Sequence, residues 1–194
     1  MTIHHHLGAP GTLPDDGLVI CGTGHRDLSR VSGTDVVKQF IRRTLFATAP
    51  TRVISGMAVG FDLLLAEVAL EDGMPLSAYV PFPGHDTKWA DTDKRRLGEI
   101  LDAADDVVYV CDRYSNAAYH IRNQKMVDAS LAVISAWNGM KAGGTYQCLK
   151  YAAKRRRRCY ILGPGGVAHA ASGQTLGGLI EGRLGKNDRQ EVRS

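Results

Sequence analysis

The chain has 194 residues, of which 44% are hydrophobic and 23% are charged. This length suits one α/β domain with a real core, and the composition is that of an ordered globular protein, which excludes a disordered chain. The formal net charge of +4 is too small to indicate a nucleic acid partner by itself. No apolar run is long enough to cross a bilayer, so we expect a cytoplasmic protein with no membrane partner.

Short apolar runs alternate with segments of helical spacing along most of the chain. Residues 1–17 precede this pattern, are rich in Gly, Pro and Asp, and are expected to form a flexible N-terminal arm. The predicted strands cover 18–23, 52–56, 76–82, 106–111, 131–137 and 158–163, and the predicted helices cover 34–48, 61–73, 91–104, 116–129 and 143–155. The Gly-rich residues 163–194 are expected to form a flexible tail.

This alternation predicts the fold class. Strands that are continuous apolar runs and are separated by helices are typical of a parallel sheet covered on both faces. We therefore predict a Rossmann-like, doubly wound α/β domain over residues 18–162. Its mostly parallel sheet should have about six strands, with helices on both faces.

The cysteines and the basic run give little indication of a metal or nucleic acid site. The four cysteines are far apart and form no CxxC pair, so we expect buried, reduced thiols, no metal and no cofactor. The run "KRRRR", residues 154–158, has two interpretations. It is either a phosphate-binding patch or a solvated helix end whose cations complement the helix dipole.

Glycine turns follow three of the predicted strands, in the segments 22–27, 56–62 and 138–145. In an open parallel sheet, ligands bind beyond the carboxyl ends of the strands. Glycines there let phosphate oxygens approach backbone N–H groups at a helix N-terminus. The sequence "GTGHRD" is not a G-x-G-x-x-G fingerprint, and no P-loop motif is present. The turns therefore predict a phosphate-bearing ligand without the usual dinucleotide or ATPase motif.

Charged and amide side chains near this edge allow alternative interpretations. Arg26 either binds a phosphate or pairs with Asp62 or Asp27. Asp62 either binds a ribose hydroxyl, pairs with an arginine, or complements the dipole of its helix. Arg122 and Asn123 either face the ligand or lie on a solvated helix face.

Aromatic and hydroxyl side chains near the same edge also allow more than one interpretation. Thr145 offers a hydroxyl to the ligand and is expected to cap its own helix, whether or not a ligand is present. Trp89 and Tyr119 either stack on a base or are partly buried at the domain surface.

Five segments in this order resemble one superfamily. "TGHR", "SGMAVGFDLLLAEVAL", "PF", "RNQKMVDASLAVISAWNG" and "GGTYQCLKYA" are similar to the SLOG superfamily, which includes the Lonely-guy phosphoribohydrolases, the DprA DNA-processing proteins and several nucleotide sensors. The closest resemblance is to its small stand-alone bacterial and phage branch. It implies a Rossmann-like fold that binds a nucleotide or nucleotide derivative, often as a homodimer or higher homo-oligomer. By position, the implied ligand-binding residues are Gly22, Thr23, Gly24, Arg26, Gly56, Met57, Gly60, Asp62, Arg122, Asn123, Gly143, Gly144 and Thr145.

The sequence departs from the enzymes of that superfamily at one position. The Lonely-guy enzymes carry a motif similar to "PGGxGTxxE". The corresponding segment of this chain reads "AGGTYQC" and places Cys148 where the glutamate is expected. That carboxylate supports cleavage of the N-glycosidic bond. We therefore predict a receptor or sequestering protein. The alternative is a nucleotide N-glycosidase, for which Asp62 and Arg122 are the candidate catalytic residues and Asp86 a possible substitute carboxylate.

A DprA-like single-stranded DNA binder is the third interpretation. Only the basic run 154–158 points to it, so nucleic acid is an unlikely partner on sequence grounds. This interpretation predicts a basic groove that leads to the ligand-binding edge, and an affinity that falls steeply with salt.

Overall fold

The structure is a computed structural model that describes residues 17–182. Nearly all of the predicted arm and residues 183–194 of the predicted tail lie outside the described residues. The strands are β1 Val19–Gly24, β2 Arg52–Ser55, β3 Leu76–Val80, β4 Asp106–Tyr109, β5 Ala132–Ala136, β6 Arg158–Leu162 and β7 Ala168–Ser172. The helices are α1 Thr34–Thr48, α2 Phe61–Glu71, α3 Asp91–Ala103, α4 Ala118–Asp128, α5 Gly143–Lys154 and α6 Gly173–Glu181, with short 3₁₀ helices at Leu28–Arg30 and Pro164–Gly166.

All seven strands form one sheet in the order β4-β3-β2-β1-β5-β6-β7. Strands β1 to β6 are parallel, and β7 runs antiparallel to β6. The predicted doubly wound, mostly parallel fold is therefore confirmed. The chain reverses its direction of winding between β1 and β5, and in such sheets the crevice above this switch point is the usual ligand site.

Apolar residues on both faces of the sheet explain why the strands are continuous apolar runs. In β1, Ile20 packs with the core cluster under α1 and α2, whereas Val19 and Cys21 pack with the cluster under α4, α5 and α6. Cys21, Cys148 and Cys159 belong to the second cluster and are buried, as the sequence predicted, whereas Cys111 is only half-buried. Neither face of the central strands is open to solvent, which is the arrangement that a parallel sheet requires.

The sheet extends beyond position 162, where the predicted domain ended. The segment predicted as a flexible tail contains β7, which pairs with β6, and α6, whose Leu176 and Ile180 are 0% and 2% exposed. The sequence pattern missed β7 because its residues are mostly small and its strand propensity is weak, so that pairing with β6 decides the conformation. Gly182 ends α6 with a φ of 66°, the left-handed conformation typical of a helix C-terminus.

Within residues 17–182, none of the helices combines the length and the apolar character that crossing a membrane requires.

Candidate functional site

A cleft of about 500 Å³ lies at the carboxyl edge of the sheet, above the switch point between β1 and β5. The loop after β1, the turn before α2, one face of α4 and the N-terminus of α5 form its walls. The predicted ligand-binding residues that line it are Thr23, Gly24, Arg26, Asp62, Arg122, Asn123, Gly144 and Thr145. Sequence reasoning missed His25, Asp27, Arg30 and Ala58, which also line it.

A buried ion pair forms the floor of the cleft. Nη1 of Arg122 donates to Oδ2 of Asp62 over 3.0 Å, and the two residues are 4% and 6% exposed. Burial raises the pKa of the Asp62 carboxyl, and the Arg122 guanidinium opposes this rise. The solvated-face interpretation is therefore wrong for Arg122, and Asp62 pairs with Arg122 rather than with the exposed Arg26.

One N–H donor of the Arg122 guanidinium is not used by the described residues. Its Nε is buried and has no hydrogen-bond partner among the described residues. An unpaired buried donor is unfavourable by about 1–3 kcal/mol, so such groups in folded proteins usually serve a ligand or an ordered water. Arg122 also lines the cleft, which makes an oxygen-rich ligand bound there the candidate partner for its guanidinium.

Several predicted ligand-binding glycines have packing roles instead. A Cβ on Gly56 would overlap Nη1 of Arg122 and lie 2.7 Å from Oδ2 of Asp62, so Gly56 provides the space for the ion pair. A Cβ on Gly22 would overlap the side chain of Leu65 in α2, so Gly22 allows close strand-to-helix packing. Neither glycine lines the cleft.

Met57 and Gly60, which the sequence also predicted as ligand-binding residues of the second turn, do not line the cleft either. Gly60 has a φ of 90°, and a Cβ there would lie 2.6 Å from the carbonyl carbon of Arg26, so it lets α2 approach the loop after β1. Met57 is 0% exposed and has a φ of 53°.

His85 fixes the Met57 turn and was not predicted from the sequence. Its Nε2 lies 2.9 Å from the Met57 carbonyl oxygen. A carbonyl only accepts, so Nε2 carries the proton and donates it. Burial lowers the pKa of His85, which is 8% exposed. The sequence "PFPGHD" held no periodic signal for this contact, which forms only because the loop after β3 folds over the turn after β2.

The N-terminus of α5 forms one wall of the cleft. The helix starts after Ala142, which supplies no side-chain cap, so the prediction that Thr145 caps it is wrong. The first N–H groups of a helix have no partner within the helix and carry the positive end of its dipole. A Cβ on Gly144 would meet only Nδ2 of Asn123, at 4.0 Å. The backbone at Gly144 is therefore open to the cleft, whereas the preceding Gly143 lies outside the lining.

His25 connects the loops on the two sides of the switch point. Its Nε2 accepts a hydrogen bond from the backbone N–H of Asn138 over 3.2 Å. Burial lowers the pKa of His25, and an accepting Nε2 means that the ring is neutral with its proton on Nδ1. The positive charge of the cleft therefore comes from its arginines rather than from this histidine.

The glutamate position of the Lonely-guy enzymes carries no charge here. Cys148 is 2% exposed and does not line the cleft, and burial raises the pKa of its thiol to about 12. Among the described residues, the carboxylates that line the cleft are Asp27 and Asp62. Asp27 accepts hydrogen bonds from Ser29, which lower its pKa, and lies 3.6 Å from Nε of Arg30.

The basic run 154–158 lies at the opposite edge of the sheet, at the amino end of β6. Nε of Arg157 donates to the carbonyl oxygen of Val127, and Nε of Arg155 lies 2.8 Å from Oδ1 of Asp128. These contacts place cations against the C-terminus of α4, where they complement the helix dipole. They agree with the helix-end interpretation and supply no basic groove at the cleft.

Comparison with known proteins gives the family. The model of the YspA SLOG family matches residues 28–161, and the chain therefore belongs to the YspA SLOG family. The predicted SLOG superfamily is thereby confirmed. The chain is 33% identical over 86 residues to the uncharacterized SPbeta prophage-derived protein YoqJ of Bacillus subtilis strain 168, in a match that covers 38% of this chain and 50% of YoqJ. It thus spans about half the length of this relative.

Two solved structures of DNA processing protein A have the same fold. The Helicobacter pylori protein superposes with a TM-score of 0.59 at 21% identity, over 90% of this chain and 78% of that one. The Streptococcus pneumoniae protein gives a TM-score of 0.56 at 18% identity, over 74% and 50%. The first structure was reported for its single-stranded DNA binding mode, which weighs against our expectation that nucleic acid is an unlikely partner.

Proposed function

We propose that this protein binds a phosphate-bearing nucleotide or nucleotide derivative in the cleft, as a receptor or sequestering protein. The observation that carries the proposal is the buried guanidinium of Arg122, whose Nε has no hydrogen-bond partner within residues 17–182, in a cleft shared with the N-terminus of α5. Both groups are donors held in place before a ligand arrives. A phosphate accepts from both, because it has several oxygens and carries negative charge.

The charges of the cleft support an anionic ligand. Three arginines line it, namely Arg26, Arg30 and Arg122, against the two carboxylates of Asp27 and Asp62. The pairing of Asp62 with Arg122 offsets one positive charge. Asp27 lies 3.6 Å from Nε of Arg30 and offsets a second, so the exposed Arg26 supplies the net positive charge that would attract an anion. A cleft concentrates the field of the charges that line it.

An N-glycosidase is the alternative, and the position of Asp62 is the observation in its favour. This carboxylate lines the cleft, where the enzyme requires a group beside the sugar carbon. Against it, Asp62 already accepts from Arg122 and is buried, and Cys148 replaces the glutamate of the related enzymes.

The test uses a panel of nucleoside monophosphates, NAD and ADP-ribose-type compounds. Each mixture is divided between a thermal shift measurement and chromatography after overnight incubation. We expect at least one compound to raise Tm and to be recovered intact. We also expect light scattering to give the mass of a homodimer for the complex. Release of a free base would favour the N-glycosidase, and a panel with no stabilising compound would contradict the proposal.

Arg122→Lys tests the residue that carries the proposal. Lysine keeps the charge beside Asp62 but lacks Nε and the planar fork. The variant should bind the stabilising compound with a dissociation constant about 10-fold to 150-fold higher, as expected for loss of a hydrogen bond to a charged group. Arg95→Lys, at an exposed position of α3, is the matched control and should bind as the wild type does. Equal affinity of Arg122→Lys and wild type would remove Arg122 from the binding site.

A further inference from the structure

The face of α4 that lines the cleft carries one large aromatic ring. Tyr119, Arg122 and Asn123 all line the cleft, and their i, i+3 and i+4 spacing places them on one face of the helix. Because α4 begins at Ala118 beside the carboxyl ends of the strands, Tyr119 lies at the mouth of the cleft. Arg122 lies three residues further along the helix, ~4.5 Å deeper.

The Tyr119 ring is held by an aromatic cluster at the ends of β3 and β4. Its centroid lies 5.7 Å from that of Phe82, at an interplanar angle of 78°. Phe82 is 7% exposed and makes the same edge-to-face contact with Tyr114, at 5.4 Å and 73°. Edge-to-face packing is the favoured geometry for aromatic pairs, so Tyr119 is oriented before a ligand binds.

The remaining cleft lining makes this ring unusual. Among the described residues that line the cleft, the others are arginines, carboxylates, hydroxyl and amide side chains, glycines, one alanine and the neutral ring of His25. Tyr119 is half-buried and is the one phenol or phenyl ring among the described residues of this lining. A free phosphate or a sugar phosphate would use the polar groups and leave this ring in water.

We propose that the aromatic base of the nucleotide stacks on Tyr119 while the phosphate of the nucleotide lies at Arg122 and the N-terminus of α5. This inference rests on the proposed function, because it names the side chain that would hold the base of the proposed ligand. Stacking on an aromatic side chain tolerates any base, since every base has a π-face. Tyr119 therefore selects nucleotides over sugar phosphates without selecting one nucleotide from another.

Calorimetric titration of the full chain tests this with four nucleoside 5′-monophosphates, ribose 5-phosphate and inorganic phosphate. Wild type should bind at least one nucleotide about tenfold or more tighter than ribose 5-phosphate. Tyr119→Leu should lose most of this difference while its affinity for ribose 5-phosphate stays unchanged. Tyr119→Phe should keep the difference, because it retains the ring. Phe46→Leu removes an aromatic ring that is 85% exposed on α1, and is the control.

A second measurement keeps the test decisive if Tyr119→Leu lowers Tm or does not fold. In the wild-type complex, NMR signals of the base protons should shift upfield through the ring current of Tyr119. Equal wild-type affinities for nucleotides and ribose 5-phosphate, or base protons that do not shift, would overturn the inference and leave the phosphate site standing. A protein that binds none of these compounds, and none of the NAD and ADP-ribose-type compounds of the first panel, would instead contradict the proposed function. Binding of single-stranded oligonucleotides alone, lost in Tyr119→Leu, would show that the stacked base belongs to a nucleic acid and would overturn the nucleotide assignment.

Discussion

The Arg122–Asp62 pair dominates the cleft at the scale of single residues. The two positions are separated by 60 residues in the sequence and meet because α2 and α4 cover opposite faces of the sheet and both approach the switch point. The sequence indicated each residue as a candidate, but it held no signal that they pair. Removing one partner of a buried pair leaves an uncompensated charge and is unfavourable by about 3–5 kcal/mol. A substitution at either residue of the pair is therefore expected to lower the stability of the domain as well as to change the cleft.

Gly56→Ala tests the space that this pair occupies. A methyl group there overlaps Nη1 of Arg122, so the guanidinium must move away from Asp62. We expect the free energy of unfolding to fall by about 1–3 kcal/mol, as for overpacked cores, and ligand affinity to fall with it. Chemical denaturation and calorimetry measure the two effects.

Gly98→Ala is the matched control for this substitution. Gly98 lies in α3, and a Cβ there meets nothing within 4 Å. Alanine should therefore stabilise the helix by about 0.5–1 kcal/mol without changing ligand affinity. If Gly56→Ala behaved like Gly98→Ala, the Gly56 position would not hold the ion pair.

His85 predicts a pH dependence of stability. Burial lowers its pKa in the folded state, so the unfolded chain binds the proton more tightly. The contribution of the neutral ring is therefore complete above the ordinary histidine pKa of about 6.5 and is lost as the pH falls below it. Asp86 raises this pKa and Arg122 lowers it further, but burial is the largest influence.

The variant His85→Gln isolates this effect. Glutamine keeps an N–H donor for the Met57 carbonyl and does not titrate. Between about pH 7.5 and 5.5, the free energy of unfolding of wild type should fall relative to that of His85→Gln. His120→Gln, at an exposed position of α4, is the control. A difference between wild type and His85→Gln that stays constant over this range would show that His85 is not held neutral.

At the scale of elements, α6 belongs to the domain and supports the loop that precedes α5. Nζ of Lys141 donates to the Glu181 carbonyl over 2.6 Å, and the Tyr146 hydroxyl donates to Oε1 of Glu181 over 2.8 Å. The end of α6 is thus tied to both sides of the α5 N-terminus. A segment that composition predicted to be a tail therefore helps to position the proposed phosphate site.

Leu176→Ala tests this role of α6. Leu176 is 0% exposed, so the substitution should lower the free energy of unfolding by about 2–5 kcal/mol, the range for buried leucines. The matched control is Leu131→Ala, at a position that is 40% exposed, and its effect should be clearly smaller. If both substitutions had equally small effects in chemical denaturation, α6 would not be packed against the domain and the prediction of a flexible tail would stand.

At the scale of the whole molecule, the sequence predicted the sheet better than it predicted the site. Alternating apolar runs identified β1 to β6, because strands buried on both faces carry a strong and local signal. The glycine turns were located correctly, but Gly22 and Gly56 make room for protein side chains rather than for a ligand. A glycine in a sequence indicates that something packs close to the backbone, but not whether it is a ligand or another part of the protein. The His85–Met57 and Arg122–Asp62 contacts join segments that are distant in the sequence, and no local pattern encodes such contacts.

The distribution of charge bears on the choice between the proposed nucleotide and a DNA strand as the ligand. The arginines of the cleft lie at one edge of the sheet, and the run 154–158 lies at the other, where it contacts α4. A DNA-binding mode that used both would have to span the sheet. A compact ligand needs only the cleft, and its affinity should fall less steeply with salt than that of a nucleic acid.

The central claim is that the N-terminus of α5 binds the phosphate of a nucleotide, and calorimetric titration of Gly144→Val tests it most directly. The Gly144 position has space for a side chain, with only Nδ2 of Asn123 nearby, so the variant should fold with a Tm close to that of wild type. Its side chain would occupy the phosphate position. We predict that wild type binds the stabilising nucleotide and that folded Gly144→Val does not. Unchanged affinity in Gly144→Val would contradict the account, because the phosphate would then lie elsewhere.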